Sequence, residues 1–210
     1  MKLILLGAPG AGKGTQAEIL SRMCDIPTIS TGNILRAAIE EGSELGLVAK
    51  DYMDKGSFAP DDIIMSIIKE RLVQPDCEKG YILDGVPRNL PQAEAMEAAG
   101  IEVDLALFIR IRDEEIITRM AGRRTCPKCG ASFHVETRRP KVEGVCDFCG
   151  TGLTVRVDDA PETVRERLRI FHEKTEPLRE FYSRRGKLKS VDNQPSIEAT
   201  TEVIVEALGL

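Results

Sequence analysis

The 210 residues predict an α/β fold, a parallel sheet covered by helices and built around one hydrophobic core. Three observations lead there. Short apolar runs alternate with longer helical stretches, the pattern of βαβ units whose strands are buried on both faces. A glycine-rich segment stands directly after the first apolar run and directly before a helical pattern. Finally, Gly42 to Pro60 and Gly122 to Asp159 lose the alternation. Both read as insertions into a single domain, the first holding only short helical pieces.

Leu3-Ile4-Leu5-Leu6 is the first predicted strand, followed by a helix from Lys13 to Cys24 with Ala17, Leu20 and Ser21 on one face. Pro27 to Ser30 predicts a short strand, and Thr31 to Glu41 a helix stopped by Gly42. Pro60-Asp61-Asp62 opens a further helix, since acidic residues suit a first turn, and Ile63, Ile64, Ile67 and Ile68 supply its apolar stripe. Tyr81 to Leu83, Leu105 to Ile109 and Leu188 to Val191 predict the remaining strands, and Ser196 to Leu208 a final helix.

Composition narrows the class of protein. The net charge is -5, which argues against general nucleic-acid binding, where a basic surface is expected. No run approaches the roughly 20 apolar residues of a membrane span. The opening apolar run ends at Gly7, too early for a signal-peptide core, so the expectation is a cytoplasmic enzyme. No long heptad pattern asks for a partner, and a monomer is expected.

Gly7-Ala8-Pro9-Gly10-Ala11-Gly12-Lys13 fits G-x-x-x-x-G-K between a strand and a helix, the setting in which backbone N–H groups and a helix N-terminus cradle phosphate. Lys13 reaches toward the outer phosphates. Gly14 stands where such loops usually place a magnesium-binding hydroxyl, and the hydroxyl comes at Thr15. Asp84, at the end of an apolar strand, suits a magnesium ion held through water. Thr31 at a helix start with Arg36 beyond it, and Gly85 with Arg88 after another strand, suit a monophosphate dianion.

Cys126-x-x-Cys129 and Cys146-x-x-Cys149 are separated by sixteen residues. That spacing predicts one tetrahedral zinc ion. Four thiolates close the coordination shell, so the metal is structural. Such a site contributes about 10–16 kcal/mol of apparent folding free energy in isolated zinc peptides, enough to fold an insert with little core of its own. Cys24, Cys77, His134 and His172 are assigned no chemistry.

Gly7 to Gln16 resembles the adenylate kinase signature, as do Ser30 to Arg36, Leu83 to Arg88, Gly122 to Arg124, Val155 to Asp159 and Glu162 to Leu168. The resemblance runs in order along essentially the whole chain. It implies the P-loop nucleoside monophosphate kinase fold with a five-stranded parallel sheet. It divides the chain into a core of residues 1–29, 60–121 and 160–210, a monophosphate-binding insertion over 30–59 and a zinc-binding lid over 122–159, as in the long bacterial type. Asn33 stands where the family usually has Asp, and Val86 where Phe is common.

The resemblance also implies residue roles. Gly10, Ala11, Gly12, Lys13, Gly14, Thr15, Arg119, Arg123, Ser132, Phe133 and Gln194 would bind ATP. Thr31, Arg36, Ser57, Phe58, Ala59, Gly85, Val86, Pro87, Arg88, Gln92, Arg156 and Arg167 would line the AMP site, with Gln92 reading the adenine edge. Lys13, Arg88, Arg123, Arg156 and Arg167 would be catalytic, with Mg²⁺ as cofactor and ATP, AMP and ADP as partners. Gly122 and Asp158-Asp159 bracket the lid as hinge candidates. A kinase for another monophosphate (UMP, CMP or GMP), a P-loop ATPase whose zinc ribbon binds nucleic acid, and an inactive nucleotide-binding protein are the alternative readings.

Overall fold

Strand β1 (Lys2–Leu6) is almost wholly buried, as its unbroken aliphatic run requires. The computed structural model describes residues 1–210. Strands β2 (Thr28–Ser30), β3 (Tyr81–Asp84), β4 (Leu105–Arg110) and β7 (Leu188–Asp192) join β1 in one sheet of order β2-β3-β1-β4-β7. Every pairing is parallel. The register sets Leu5 opposite Asp84 and Leu6 opposite Phe108. The segments after β1 and β3 therefore leave the sheet side by side at its carboxyl edge, where open α/β sheets bind ligands.

The helices are α1 (Lys13–Cys24), α2 (Thr31–Glu40), α3 (Glu44–Asp54), α4 (Asp61–Leu72), α5 (Leu90–Ala98), α6 (Asp113–Gly122), α7 (Pro161–Ile170), α8 (Leu178–Arg184) and α9 (Ile197–Leu208). One π-helical turn, Phe171–Thr175, separates α7 from α8. The sheet and α1 to α9 contacts enclose Leu3, Leu5, Ala17, Leu20, Ile82, Leu107, Ile109 and Ile204. Gln16 is buried among them. It donates to the Ile197 carbonyl at 3.1 Å and accepts from Thr201 at 2.9 Å, tying α1 to α9.

Residues 1–31, 60–111 and 169–210 form one compact unit, and residues 32–59 and 112–168 a second. The stretch Gly42 to Pro60, all but its last residue in the second unit, departs from the expectation of short helical pieces, because α3 runs for 11 residues. Ser43 caps it, with Oγ accepting from the Gly46 amide. Gly46 itself lets α3 approach α2, since a Cβ there would lie 2.1 Å from the Ala38 carbonyl oxygen. A glycine in a first helical turn weakens the local helix signal, and packing restores the helix.

Short strands β5 (Arg123–Thr125) and β6 (Ser132–His134) pair antiparallel. They support two turns of matching geometry. The Gly130 amide donates to the Cys126 carbonyl and the Gly150 amide to the Cys146 carbonyl. Both glycines have positive φ, 73° and 71°, a conformation that side chains resist. Cys126, Phe133 and Cys146 form the small core of this region.

Candidate functional site

The loop after β1 is held open by glycine. At Gly7, φ is 145°, and a Cβ would lie 2.7 Å from the Ile109 carbonyl oxygen. Gly12, with φ 87°, leads into α1 in the left-handed conformation. Lys13 folds its Nζ back over the loop, donating to the Gly7 and Ala8 carbonyls at 2.7 and 2.8 Å. The Asp84 Oδ2 atom stands 3.5 Å from where a Gly14 Cβ would be, which brings the carboxylate expected to serve magnesium to the first turn of α1. Gly10, Ala11 and Thr15 belong to the same loop and turn.

Beside it, the segment after β3 forms a network of its own. Thr31 Oγ1 and Arg88 Nε both donate to the Gly85 carbonyl, at 3.0 and 2.8 Å. Gly85 has φ 85°, and a Cβ there would press on Arg88 Nη2 at 2.8 Å. Val86 is buried, and the Val86–Pro87 peptide is cis. Gln92 is only 1% exposed. Its Oε1 accepts from the Arg88 amide at 2.7 Å and its Nε2 donates to Asp61 at 2.7 Å. Asn89 caps α5 by accepting from the Gln92 amide and also donates to Asp61. The bonds thus tie Gln92 to the backbone of Arg88, beside the adenine-reading role that the family resemblance implies. All these residues lie in the first unit.

The second unit gathers a different set. Arg123 clamps Asp159 with two nitrogens, Nε at 2.7 Å from Oδ2. Arg156 clamps Asp158 the same way, Nε at 2.8 Å from Oδ1. Arg167 donates to the Asp158 carbonyl at 2.9 Å and pairs with the carboxylates of Asp158 and Asp159. Arg36 adds a fourth guanidinium whose charge is felt by Asp158, and its Nη2 donates to Asn33 at 2.5 Å. Gly56 allows the loop after α3 to lie against α7, where a Cβ would meet Arg167 Cγ at 2.8 Å. Ser57, Phe58 and Ala59 follow it.

The electrostatics of this cluster are unbalanced. Four guanidinium groups face two carboxylates, a surplus of two positive charges. Burial, followed by the charge of Arg156, lowers the pKa of Arg36 and of Arg123. Burial lowers that of Arg167 as well, against the attraction of Asp158. Guanidinium stays charged at neutral pH, so these shifts express unfavourable confinement of cations. Burial opposes ionisation of Asp158, yet hydrogen bonding to Arg156 and the charges of Arg167, Arg156 and Arg36 outweigh it. Its carboxyl is held well below the usual carboxylate range. An anion of two charges would relieve the cluster.

Asp158 and Asp159, hinge candidates in the sequence, are also counter-ions of the arginines. Their side chains are 13% and 0% exposed. The adjacent acid pair among basic residues was the available signal. Gly122, the other hinge candidate, is required by packing. A Cβ there would lie 2.3 Å from the His134 ring. Phe133 is buried with the cysteines, and Ser132 pairs with Thr125 on the adjacent strand. Arg119 lies in the last turn of α6. Gln194 donates through its amide to Thr200 and through its side chain to the Asp192 carbonyl.

The four thiols converge as their spacing predicts. Sγ atoms of Cys126, Cys129, Cys146 and Cys149 lie within 4.8 Å of one another. Cys126 and Cys149 approach at 3.4 Å, Cys129 and Cys146 at 3.5 Å. Four ligands at about 2.3 Å from a tetrahedral zinc would stand about 3.8 Å apart, so the cluster fits such an ion. Burial pushes the Cys129 thiol up to about 12, whereas hydrogen bonding to Thr151 pulls the Cys149 thiol down to about 6; a bound cation would favour the thiolate form at each.

A phosphate loop on the central strand of an all-parallel sheet, with Arg88 in the same unit and an arginine cluster in the other, fits a P-loop phosphotransferase. The family model for adenylate kinase matches residues 5–187. The chain is 52% identical over 214 residues to an adenylate kinase of Caldicellulosiruptor saccharolyticus, covering all of both chains. It is 50% identical to one of Acetivibrio thermocellus, covering 99% of this chain and 98% of the relative. It is also 50% identical to one of Lachnospira eligens, covering all of both. This chain belongs to the adenylate kinase family. No helix is long and apolar enough to cross a membrane.

Proposed function

We propose that the enzyme catalyses reversible, magnesium-dependent transfer of the terminal phosphoryl group of ATP to AMP, giving two ADP. The observation that carries the reading is the arginine cluster of the second unit, a desolvated surplus of two positive charges that calls for a phosphate dianion. Phosphoryl transfer proceeds through a loose transition state with charge spread over the moving group, so positioning and electrostatics suffice. No nucleophile–base pair is needed.

In this reading Gly10 to Thr15 and Lys13 hold the ATP phosphates, and Arg88 and Arg36 grip the AMP phosphate. Arg123, Arg156 and Arg167 meet the transferring group when residues 122–159 act as a lid, which also keeps water from competing as acceptor. Asp84 would hold magnesium through water. That ion, when bound, neutralises charge on the ATP phosphates. The four cysteines would hold zinc as a staple for the lid.

A coupled assay of ATP plus AMP, run beside UMP, CMP and GMP, tests the reading. AMP should be the acceptor turned over. Arg88→Ala and Arg156→Ala should each lower turnover by about 10³-fold, as arginines contacting transferred phosphate do, with the far-ultraviolet spectrum unchanged. Parent-like turnover in both variants would remove the arginines from the chemistry.

A further inference from the structure

The π-helical turn Phe171–Thr175 is a local irregularity that the reaction scheme leaves unused. Such a turn gives up regular i to i−4 bonding, and it tends to mark functional sites. Here the Glu176 amide donates back five residues to the Phe171 carbonyl at 2.9 Å. A helical threonine normally turns its hydroxyl onto a carbonyl one turn back. Thr175 instead donates to the Arg88 carbonyl at 2.7 Å. It is buried. The turn is anchored from the other side, with the Phe171 ring 6.3 Å from that of Phe108 on β4.

The backbone of Arg88 is therefore gripped at both polar atoms. Its amide donates to the buried Gln92, whose amide group is oriented by Asp61. Its carbonyl accepts from Thr175. Its guanidinium is steadied by the Gly85 carbonyl. A grip on both sides of the peptide restricts rotation of the whole residue, and with it the direction in which the guanidinium fork is presented.

We infer that Thr175 is a positioning residue for the acceptor phosphate, and that the π turn exists to deliver its hydroxyl to the backbone of Arg88. The inference rests on the reading that Arg88 grips the phosphate of AMP. Thr175→Val keeps the shape and removes the donor, and Thr175→Ser keeps the donor and removes the methyl group. A single neutral hydrogen bond is expected to be worth about a fivefold change. Steady-state kinetics should show KM for AMP rising about fivefold or more in Thr175→Val, KM for ATP unchanged, and parent-like values in Thr175→Ser. Adenosine, which lacks the phosphate, should inhibit parent and Thr175→Val equally.

Equal rises in KM for both nucleotides, or parent-like kinetics in Thr175→Val, would overturn the inference. So would failure of serine to restore the parent values. If the valine variant does not fold, Thr175→Ala against Thr175→Ser makes the same comparison. Arg88→Ala in the same series separates the two levels. Unchanged dependence on AMP in that variant would strike the acceptor-site reading itself. A crippled Arg88→Ala beside an unaffected Thr175→Val would strike only the role of Thr175.

Discussion

Replacing Asp159 by asparagine tests the arginine cluster most directly. The Asp159 side chain is fully enclosed, and it accepts from Arg123 Nε at 2.7 Å and from Arg167 at 3.3 Å. Asparagine fits the same space, but it turns one acceptor into an amide donor facing guanidinium donors. The surplus of positive charge rises from two to three. Breaking a buried ion pair on one side costs about 3–5 kcal/mol. Arg123 keeps some contact with solvent at 17% exposed, which places the loss near the lower end. For a chain of this size each kcal/mol moves the melting temperature by about 2–4 °C. Calorimetry in a buffer free of phosphate should therefore show Asp159→Asn melting about 6–12 °C below the parent. Added inorganic phosphate should recover more stability in the variant than in the parent, because the anion supplies the missing charge. A drop under 2 °C, with equal phosphate effects, would refute the claim that the carboxylate holds a strained cationic cluster together.

Two further predictions concern the same unit. Asp158 has a depressed pKa when folded, so its stabilisation is present above its unfolded value of about 3.9 and is lost as pH falls below that toward the folded value. The melting temperatures of parent and Asp158→Asn should differ at pH 7, and the gap should narrow progressively as pH falls below about 3.9; a gap that stays constant through that fall would contradict the assignment. Metal analysis should find about one zinc ion per chain. Its removal by a chelator should abolish hydrogen-exchange protection of the Cys126 and Cys146 amides, which donate to Ala131 and Thr151, while the protection of β1 amides persists. Retained protection at those cysteines would mean that this segment folds without metal.

What the chain alone determined is local or periodic. Apolar runs at Leu3 to Leu6, Tyr81 to Leu83 and Leu105 to Ile109 announced buried parallel strands, because only a strand covered on both faces is apolar throughout. The phosphate loop and the four cysteines were legible because backbone geometry and metal coordination each demand particular residues at fixed spacing. Only the tertiary structure decided matters that depend on distant neighbours. Helix α3 carries a weakening Gly46, and it is a helix because Ala38 offers a surface that only glycine can approach. That Asp158 and Asp159 bind arginines is likewise a tertiary fact, since Arg123 reaches Asp159 across 36 residues. The π turn has no signature in its residues. Its purpose is visible only where Thr175 meets Arg88, since a hydrogen bond across 87 residues is a property of the folded chain and of no segment within it.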